Sequence, residues 1–428
     1  MGYLPPASAS AKKQQILTGA HEYLIPNRLE IFERFGIDLV IGKREGYRIW
    51  DVDGHELLDF HLNGGTYNVG HRNPEILAKL QESLQTLDVG NHHFASEARV
   101  SLAEKLAQAT GLHYSLFTAS ASEANDMAIK SARRYTGRRK IVALDCAFHG
   151  RSGLSGAAGD DSAAQYFQSD YPQEFIRVPF NDLAAMEQAL AQEDVAAVLM
   201  ETIPATYGFP VPSDDYLPGV RKLCYQYGSL YIADEVQTGL CRSGHLWAID
   251  AWGVKPDMLV TGKGLSAGLY PVSALVMKKE VGAWLSENGW GHVSTFGGAE
   301  PGCIVGSAVL ELCNTPETLS HVQTVSDYLY AGLQDIQSRH DYLVGINRMG
   351  LIMGLKFDNP NGGIHMMKAL YDRGLWAIFA GFDASITQFK GGLFIDKAYC
   401  DLALERVESA INVAKEIKGD GHQLSIGR

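Results

Sequence analysis

Between residues 114 and 277 the chain alternates short, continuously apolar runs with amphipathic stretches. The runs are Tyr114–Thr118, Ile141–Leu144, Phe175–Val178, Val195–Met200, Ser229–Ala233, Met258–Thr261 and Ala274–Met277. Most lack the period-two alternation of a half-exposed strand, and continuous runs are how strands buried on both faces read. Helical periodicity separates several of them, over Glu123–Tyr135, Leu183–Ala191 and Tyr216–Tyr227. This alternation predicts an α/β fold with a mainly parallel seven-stranded sheet.

The texture changes after about residue 305. Helical stretches near Val305–Asn314 and Pro316–Arg339 precede short strands, Met353–Phe357 and Gly392–Ile395, and a closing helix, Asp401–Lys418. That layout predicts a smaller α+β domain over 306–428 beside a large domain over 66–305. The first 65 residues form a separate segment, expected to pack on the small domain. Within it Tyr47–Leu62, with an Asp-Val-Asp-Gly turn at 51–54, reads as a hairpin. Residues 1 to about 15, and the last ten from Gly419, are expected to be loosely held.

Composition narrows the possible functions. A net charge of -12 over 428 residues argues against nucleic-acid binding, which needs clustered Lys and Arg. Six cysteines (146, 224, 241, 303, 313 and 400) lack the clustering of a disulfide framework or zinc ribbon, and fit a reducing cytoplasm. The N-terminus carries no secretory pattern, and no apolar run reaches the roughly 20 residues of a membrane span.

Two strand ends carry the strongest chemistry. One is Leu230-Tyr-Ile-Ala-Asp234-Glu-Val-Gln-Thr-Gly239, the other Leu259-Val-Thr-Gly-Lys263-Gly-Leu-Ser266. Each sets a charged residue at the carboxyl end of a buried run, where open α/β sheets bind ligands. A structural Asp–Lys salt bridge is the plain alternative. The nearby glycines favour a ligand, because they allow close backbone approach. The pair matches what pyridoxal 5′-phosphate (PLP) requires: a lysine amine to hold it as a Schiff base and move a proton, and an aspartate to keep its pyridine nitrogen protonated.

Earlier in the chain, Phe117-Thr-Ala-Ser120-Ala-Ser122-Glu123-Ala-Asn125 runs from a strand into a capping box formed by Ser120 and Glu123. A helix N-terminus of this kind suits a phosphate. Cys146-Ala-Phe148-His149-Gly150-Arg151 follows another strand, and Phe148 there is placed to stack on a pyridine ring or simply to join the core. No G-x-G-x-x-G follows a strand, Gly262-Lys263 lacks the rest of a P-loop, and no His/Glu cluster has metal-ligand spacing. Adjacent His92 and His93 read as ordinary loop or interface histidines.

Together these segments resemble the class III aminotransferases, the PLP fold type I group that includes ornithine, acetylornithine and 4-aminobutyrate aminotransferases. The similarity extends from Leu57-Leu-Asp-Phe60 and Gly70-His-Arg-Asn-Pro74 to Ser294-Thr295-Phe-Gly-Gly298. It implies Lys263 as Schiff-base lysine and Asp234 as partner of the pyridine nitrogen. Gln237 would lie near the cofactor 3-hydroxyl, Ser120, Ala121 and Ser122 at its phosphate, and Phe148 on its ring with His149 beside it. Glu201 matches the glutamate of a Glu-Pro strand end, although Thr202 replaces the proline. Thr295 matches a threonine that reaches the neighbouring subunit's phosphate, which implies a homodimer with shared active sites. Family position also puts Tyr67, Phe94, Tyr207, Lys390 and Ala377–Phe382 along the substrate pocket.

The departures are informative. Ala121 stands where the family has glycine, so its N–H must be offered from helical φ. Gln388 stands where ornithine- and 4-aminobutyrate-type enzymes have a carboxylate-gripping arginine, and Thr206 where they have the glutamate that holds this arginine aside. Both partners of that switch are absent, which argues against those two substrates. The resemblance implies ping-pong amino transfer from an amine or amino acid to a keto or aldehyde acceptor. A single-substrate racemase, aminomutase or lyase of the same fold is the second reading, and a non-catalytic PLP-fold binding protein the third.

Overall fold

The structure is a computed structural model and describes residues 9–90, 93–159 and 161–417. Its strands are β1 (Ile41–Glu45), β2 (Arg48–Asp51), β3 (Glu56–Asp59), β4 (Tyr114–Thr118), β5 (Lys140–Leu144), β6 (Phe175–Val178), β7 (Val195–Glu201), β8 (Leu230–Asp234), β9 (Met258–Thr261), β10 (Ser273–Met277), β11 (Leu343–Met349), β12 (Ile352–Phe357), β13 (Leu375–Trp376), β14 (Ile378–Phe379) and β15 (Ile386–Lys390).

Seven of them form the central sheet, in the order β4-β10-β9-β8-β7-β5-β6. Neighbouring strands run parallel from β9 through β6, while β10 is antiparallel to both β9 and β4. Every residue of β7, β8, β9 and β10 is buried. Helices cover both faces, which is why these segments read as unbroken apolar runs. Burial of roughly 1.5–3 kcal/mol per large apolar side chain stabilises this layer.

Two four-stranded sheets flank the central one. The first, β1-β2-β3-β13, joins the expected N-terminal hairpin to a strand from the far end of the chain, with β13 parallel to β3. A small core of Phe35, Ile37, Ile49, Leu57, Ile364, Met367 and Tyr371 seals that junction. The second sheet is β11-β12-β15-β14. The carboxyl end of β15 is tied to the segment after β3: Lys390 N donates to Phe60 O at 2.9 Å, and the rings of Phe60 and Phe389 stack 4.1 Å apart.

Three expectations are corrected. The strand expected at Gly392–Ile395 lies earlier, at Ile386–Lys390, where the chain pairs with both β12 and β14. The Gly391-Gly392 pair ends it, and Gly392 packs so close to the Tyr47 ring that any Cβ would collide. Near the start, Ala11–Tyr23 is helical rather than loose, because Ser10 Oγ caps Lys13 N and Lys13 ion-pairs with Asp38 at 2.9 Å. The closing helix begins earlier than expected, at Lys397, behind the Asp396 cap. The tail expected beyond Gly419, and His92, lie outside the described residues. Among the described residues no helix is long and apolar enough to cross a membrane, and none of the six cysteines forms a disulfide.

Candidate active site

Parallel strands end side by side, and their last residues share one edge of the sheet. Glu201 and Asp234, the terminal residues of β7 and β8, are register partners. Asp234 is 3% exposed, and three donors hold its carboxylate. Oδ2 accepts from His149 Nδ1 at 2.7 Å and from Asn125 Nδ2 at 3.0 Å, and Oδ1 accepts from Val236 N at 3.0 Å. Asn125 Nδ2 also donates to His149 O at 2.9 Å. With Nδ1 committed to a carboxylate, His149 Nε2 is buried without a partner.

Glu201 lies beside this network. Its Oε1 accepts from Phe148 N at 3.0 Å and its Oε2 from Ala205 N at 3.1 Å, so it fixes the Phe148 loop against the strand end. Burial raises its pKa to about 7; His149 opposes the rise and the Asp234 carboxylate adds to it.

Lys263 stands at the start of a single 3₁₀ turn after β9, with φ +43° in the left-handed region. A non-glycine residue there is strained, and such outliers gather at functional sites. Ser266 Oγ donates to Lys263 O at 2.6 Å and fixes the turn. Enclosure lowers the pKa of its amine, Asp234 and Glu201 act the other way, and Arg242 adds to the lowering. The backbone of Gly64 runs directly against it. A Cβ at that position would stand 3.2 Å from Lys263 Cε, on a residue whose φ is +67°.

These groups open into one cavity of about 450 Å³, whose walls include Ser120, Phe148, Asp234, Gln237 and Lys263. At one end lies the N-terminus of the helix Ala121–Thr136. Ser120 caps it, accepting from Glu123 N at 3.2 Å, while Glu123 Oε2 accepts from Ala119 N at 3.0 Å. Ala121 is the first helical residue and meets the requirement for helical φ, so the first-turn N–H groups have no intrahelical acceptor. Ser122 also lines the cavity, but its hydroxyl is engaged: it accepts from Arg151 N at 3.1 Å and Ser152 N at 3.0 Å. Gly150 makes that contact possible, since a Cβ there would fall 2.1 Å from Ser122 Oγ. Phe148 turns its ring toward Lys263, whose Nζ is 6.0 Å from the ring centroid.

The structure therefore brings together every expected site residue except Thr295, which lies exposed in the irregular segment 291–299 outside this cavity. Of the positions expected along the substrate pocket, Tyr67 lines the cavity and Tyr207 lines a different one. Phe94 is 81% exposed, and Lys390 is fully buried. Asn125 had no role in the sequence reading. Its signal was a polar residue in the buried helical stripe that continues through Ala128, Ile129 and Ala132.

A lysine facing an anchored aspartate across a cavity that ends on a helix N-terminus defines a class of PLP-binding site on a doubly covered α/β sheet. The Aminotransferase class-III family profile matches residues 33–411. A protein of Archaeoglobus fulgidus described as an uncharacterized aminotransferase is 41% identical over 406 residues, covering 94% of this chain and 95% of its own. Putrescine aminotransferase of Pectobacterium atrosepticum is 31% identical, with 97% and 92% covered. Among solved structures, ornithine aminotransferase of Toxoplasma gondii superposes with a TM-score of 0.86 at 24% identity, covering 96% and 97%. Acetylornithine aminotransferase of Elizabethkingia anophelis does so with a TM-score of 0.76 at 26% identity, covering 90% and 98%. The chain belongs to the class-III aminotransferase family, has PLP fold type I and is a PLP-dependent aminotransferase.

The residues present fit the cofactor. Asp234 offers an anchored carboxylate, the capped helix offers N–H groups to a phosphate, and Gln237 Oε1 is buried with no partner among the described residues. The glycine turn at Gly64 leaves open the space that a Cβ would fill beside Lys263.

Proposed function

We propose that Lys263 and Asp234 are the catalytic residues, that Ser120, Ala121, Ser122, Phe148, His149, Glu201, Gln237 and Thr295 hold the cofactor or the residues touching it, and that the enzyme works as a ping-pong transaminase. The observation that carries this reading is the opposition of Lys263 to the triply held Asp234 in one cavity. Bound PLP supplies an electron sink that makes the bond to the amine-bearing carbon of the substrate ionisable.

The remaining work belongs to the chain. Enclosure keeps the Lys263 amine weakly basic and ready to act as nucleophile, and then to carry at Nζ the proton lost from the substrate carbon. Asp234 sets a fixed negative charge at the pyridine end, and His149 and Asn125 keep it from rotating. Glu201 holds Phe148 in place through its backbone N–H. The first-turn N–H groups of the helix from Ala121 face the phosphate end.

Thr295 belongs to the site of a second copy in this reading. Its segment carries Trp290, Val293 and Phe296, each more than half exposed, an apolar surface that a homodimer with shared active sites would cover. The N-terminal segment, over its described residues, packs on the small domain that begins at residue 306, a reading supported by the pairing of β3 with β13. Six thiols without a disulfide support a cytoplasmic location.

The test is a donor panel of glutamate, alanine, simple primary amines and phosphorylated amines, watched through the absorbance of the bound cofactor. A transaminase converts its cofactor to the amine form with donor alone, then recovers it with a keto or aldehyde acceptor. If donor turns over without that conversion, the single-substrate reading replaces this one.

A further inference from the structure

The helix Ala121–Thr136 meets the segment after β5 along one face. Ser122, Asn125 and Asp126 stand three and four positions apart on its first turns, so their side chains line up on the same side. All three reach the loop that carries Phe148. Asn125 Nδ2 donates to His149 O at 2.9 Å, and Ser122 Oγ accepts from Arg151 N at 3.1 Å and Ser152 N at 3.0 Å. Asp126 Oδ1 accepts from Ser155 N at 2.6 Å, and its Oδ2 from Ser152 Oγ at 3.3 Å. Two glycines let these surfaces close. Gly150 leaves room for Ser122 Oγ, and a Cβ at Gly153, whose φ is +33°, would fall 2.9 Å from Asp126 Oδ2.

The hydroxyl protons of this cluster can be followed one by one. Each serine hydroxyl has one proton to give and two lone pairs to fill. Ser155 Oγ gives its proton to Ser152 O at 2.7 Å, and Ser152 Oγ gives its own to Asp126 Oδ2. The two backbone N–H groups fill both lone pairs of Ser122. Its proton therefore goes to Ser152 Oγ at 2.7 Å or to Ser155 Oγ at 2.8 Å, each of which has a lone pair open to it. Nothing on Ser122 Oγ is left for a phosphate, which must take the N–H groups of the first helical turn instead. The network ends at the Asp126 carboxylate, which can only accept.

We propose that Asp126 and Ser122 are positioning residues, which together clamp the Phe148 loop to the helix that faces the cofactor phosphate. The inference rests on the aminotransferase reading and adds to its machinery Asp126, which lies outside the cavity lining. In that reading Phe148 lies on the cofactor ring and the helix N-terminus at its phosphate. The clamp joins the parts of the site that hold the two ends of the cofactor into one rigid piece. Glu201 holds the same loop from the strand side, through Phe148 N. A side chain carried on a loop positions a ligand accurately only if the loop is itself fixed.

Three measurements test this, none of them a rate of turnover. Hydrogen exchange of the cofactor-free chain is expected to quicken about 10-fold over 149–155 in Asp126→Ala and in Ser122→Ala, and to stay unchanged in β7 and β8. Asp126→Asn, which keeps an acceptor for Ser155 N, is expected to recover most of that protection. Titration of the cofactor-free chain with inorganic phosphate is expected to give Ser122→Ala an affinity within about twofold of wild type. In the holoenzyme, the visible-region circular dichroism of the cofactor is expected to weaken in Asp126→Ala and to return in Asp126→Asn, a signature that lost stability alone would not move.

A phosphate affinity lower by about 10-fold or more in Ser122→Ala, with loop exchange unaltered, would make that hydroxyl a phosphate ligand and overturn the proposal. Wild-type exchange and dichroism in Asp126→Ala would overturn it as well. Should Asp126→Ala fail to fold, Ser152→Ala removes only the hydroxyl between Ser122 and Asp126. It is expected to quicken the same exchange about threefold, and unchanged exchange there would count against the clamp. Failure of every donor to convert the cofactor would instead remove the aminotransferase reading, and loop exchange and phosphate binding would still decide the clamp.

Discussion

The large-domain wall of the cavity and a buried cluster near Lys263 treat charge in opposite ways. On the large-domain wall, Asp234 is surrounded by three donors, Asn125 uses both of its N–H groups, and each oxygen of Glu201 accepts from a backbone N–H. In the cluster, which lies outside the cavity lining, Lys390 has one neutral acceptor, Arg242 has one carbonyl, and His61 Nδ1 has none among the described residues. The Asp234 carboxylate is held on every side before any small molecule arrives, as it must be if it orients a cofactor rigidly. The cluster holds its charged and titratable groups with fewer hydrogen bonds.

That contrast can be broken by substitution. The largest effect is expected at Lys263, which lines the cavity and adjoins the cluster: Lys263→Ala should lower turnover by roughly 10⁴-fold or more and abolish the borohydride-reducible cofactor linkage. Reducible cofactor still attached to that variant would remove Lys263 from its role. On the large-domain wall, Asp234→Ala should cost about 3 kcal/mol of stability, because it strands His149 and Asn125 in the interior, with turnover falling at least a hundredfold. Thermal melting and steady-state rates read both.

Glu201 gives a pH-dependent version of the same comparison. Its folded pKa, near 7, lies above the ordinary value of 4.5, so the folded state holds the proton more tightly than the unfolded chain. Its contribution to stability is complete below about pH 4.5 and is lost as pH rises to 7. Glu201→Gln carries no such titration. Its disadvantage relative to wild type should therefore shrink by up to about 3 kcal/mol between pH 4.5 and 8, measured by denaturant unfolding of the cofactor-free enzyme. A gap that stays constant over that range would contradict the assignment.

The smallest effect is expected in the buried cluster. Arg242→Met removes a buried charge that has little to pair with, and should change stability by less than about 1 kcal/mol. A loss as large as that of Asp234→Ala would mean that the cluster is held as firmly as the Asp234 network, and the contrast would collapse.

The strands of the central sheet were readable because burial on both faces writes itself as unbroken apolar runs: Tyr114–Thr118, Phe175–Val178 and Met258–Thr261 match to the residue. Asp234 was readable because it ends such a run, and Lys263 because it stands two residues beyond one. β15 was misplaced by a few residues, since Thr387, Gln388 and Lys390 are polar and look solvent-facing in sequence, yet all three are buried. Asn125 was visible but unassigned, because its partners lie 24 and 109 residues away.

Local order alone determined the parallel core, the capped helix at Ser120 and the placing of charged residues at strand ends. These depend on periodicity, capping and side-chain type, which act between near neighbours in the chain. Tertiary structure decided which charges would be balanced. Asp234 finds its donors, and Lys390 finds none of its opposites, only because β8, β15 and the turn after β3 are brought together from distant parts of the sequence, and electrostatic pairing depends on distance in space rather than along the chain.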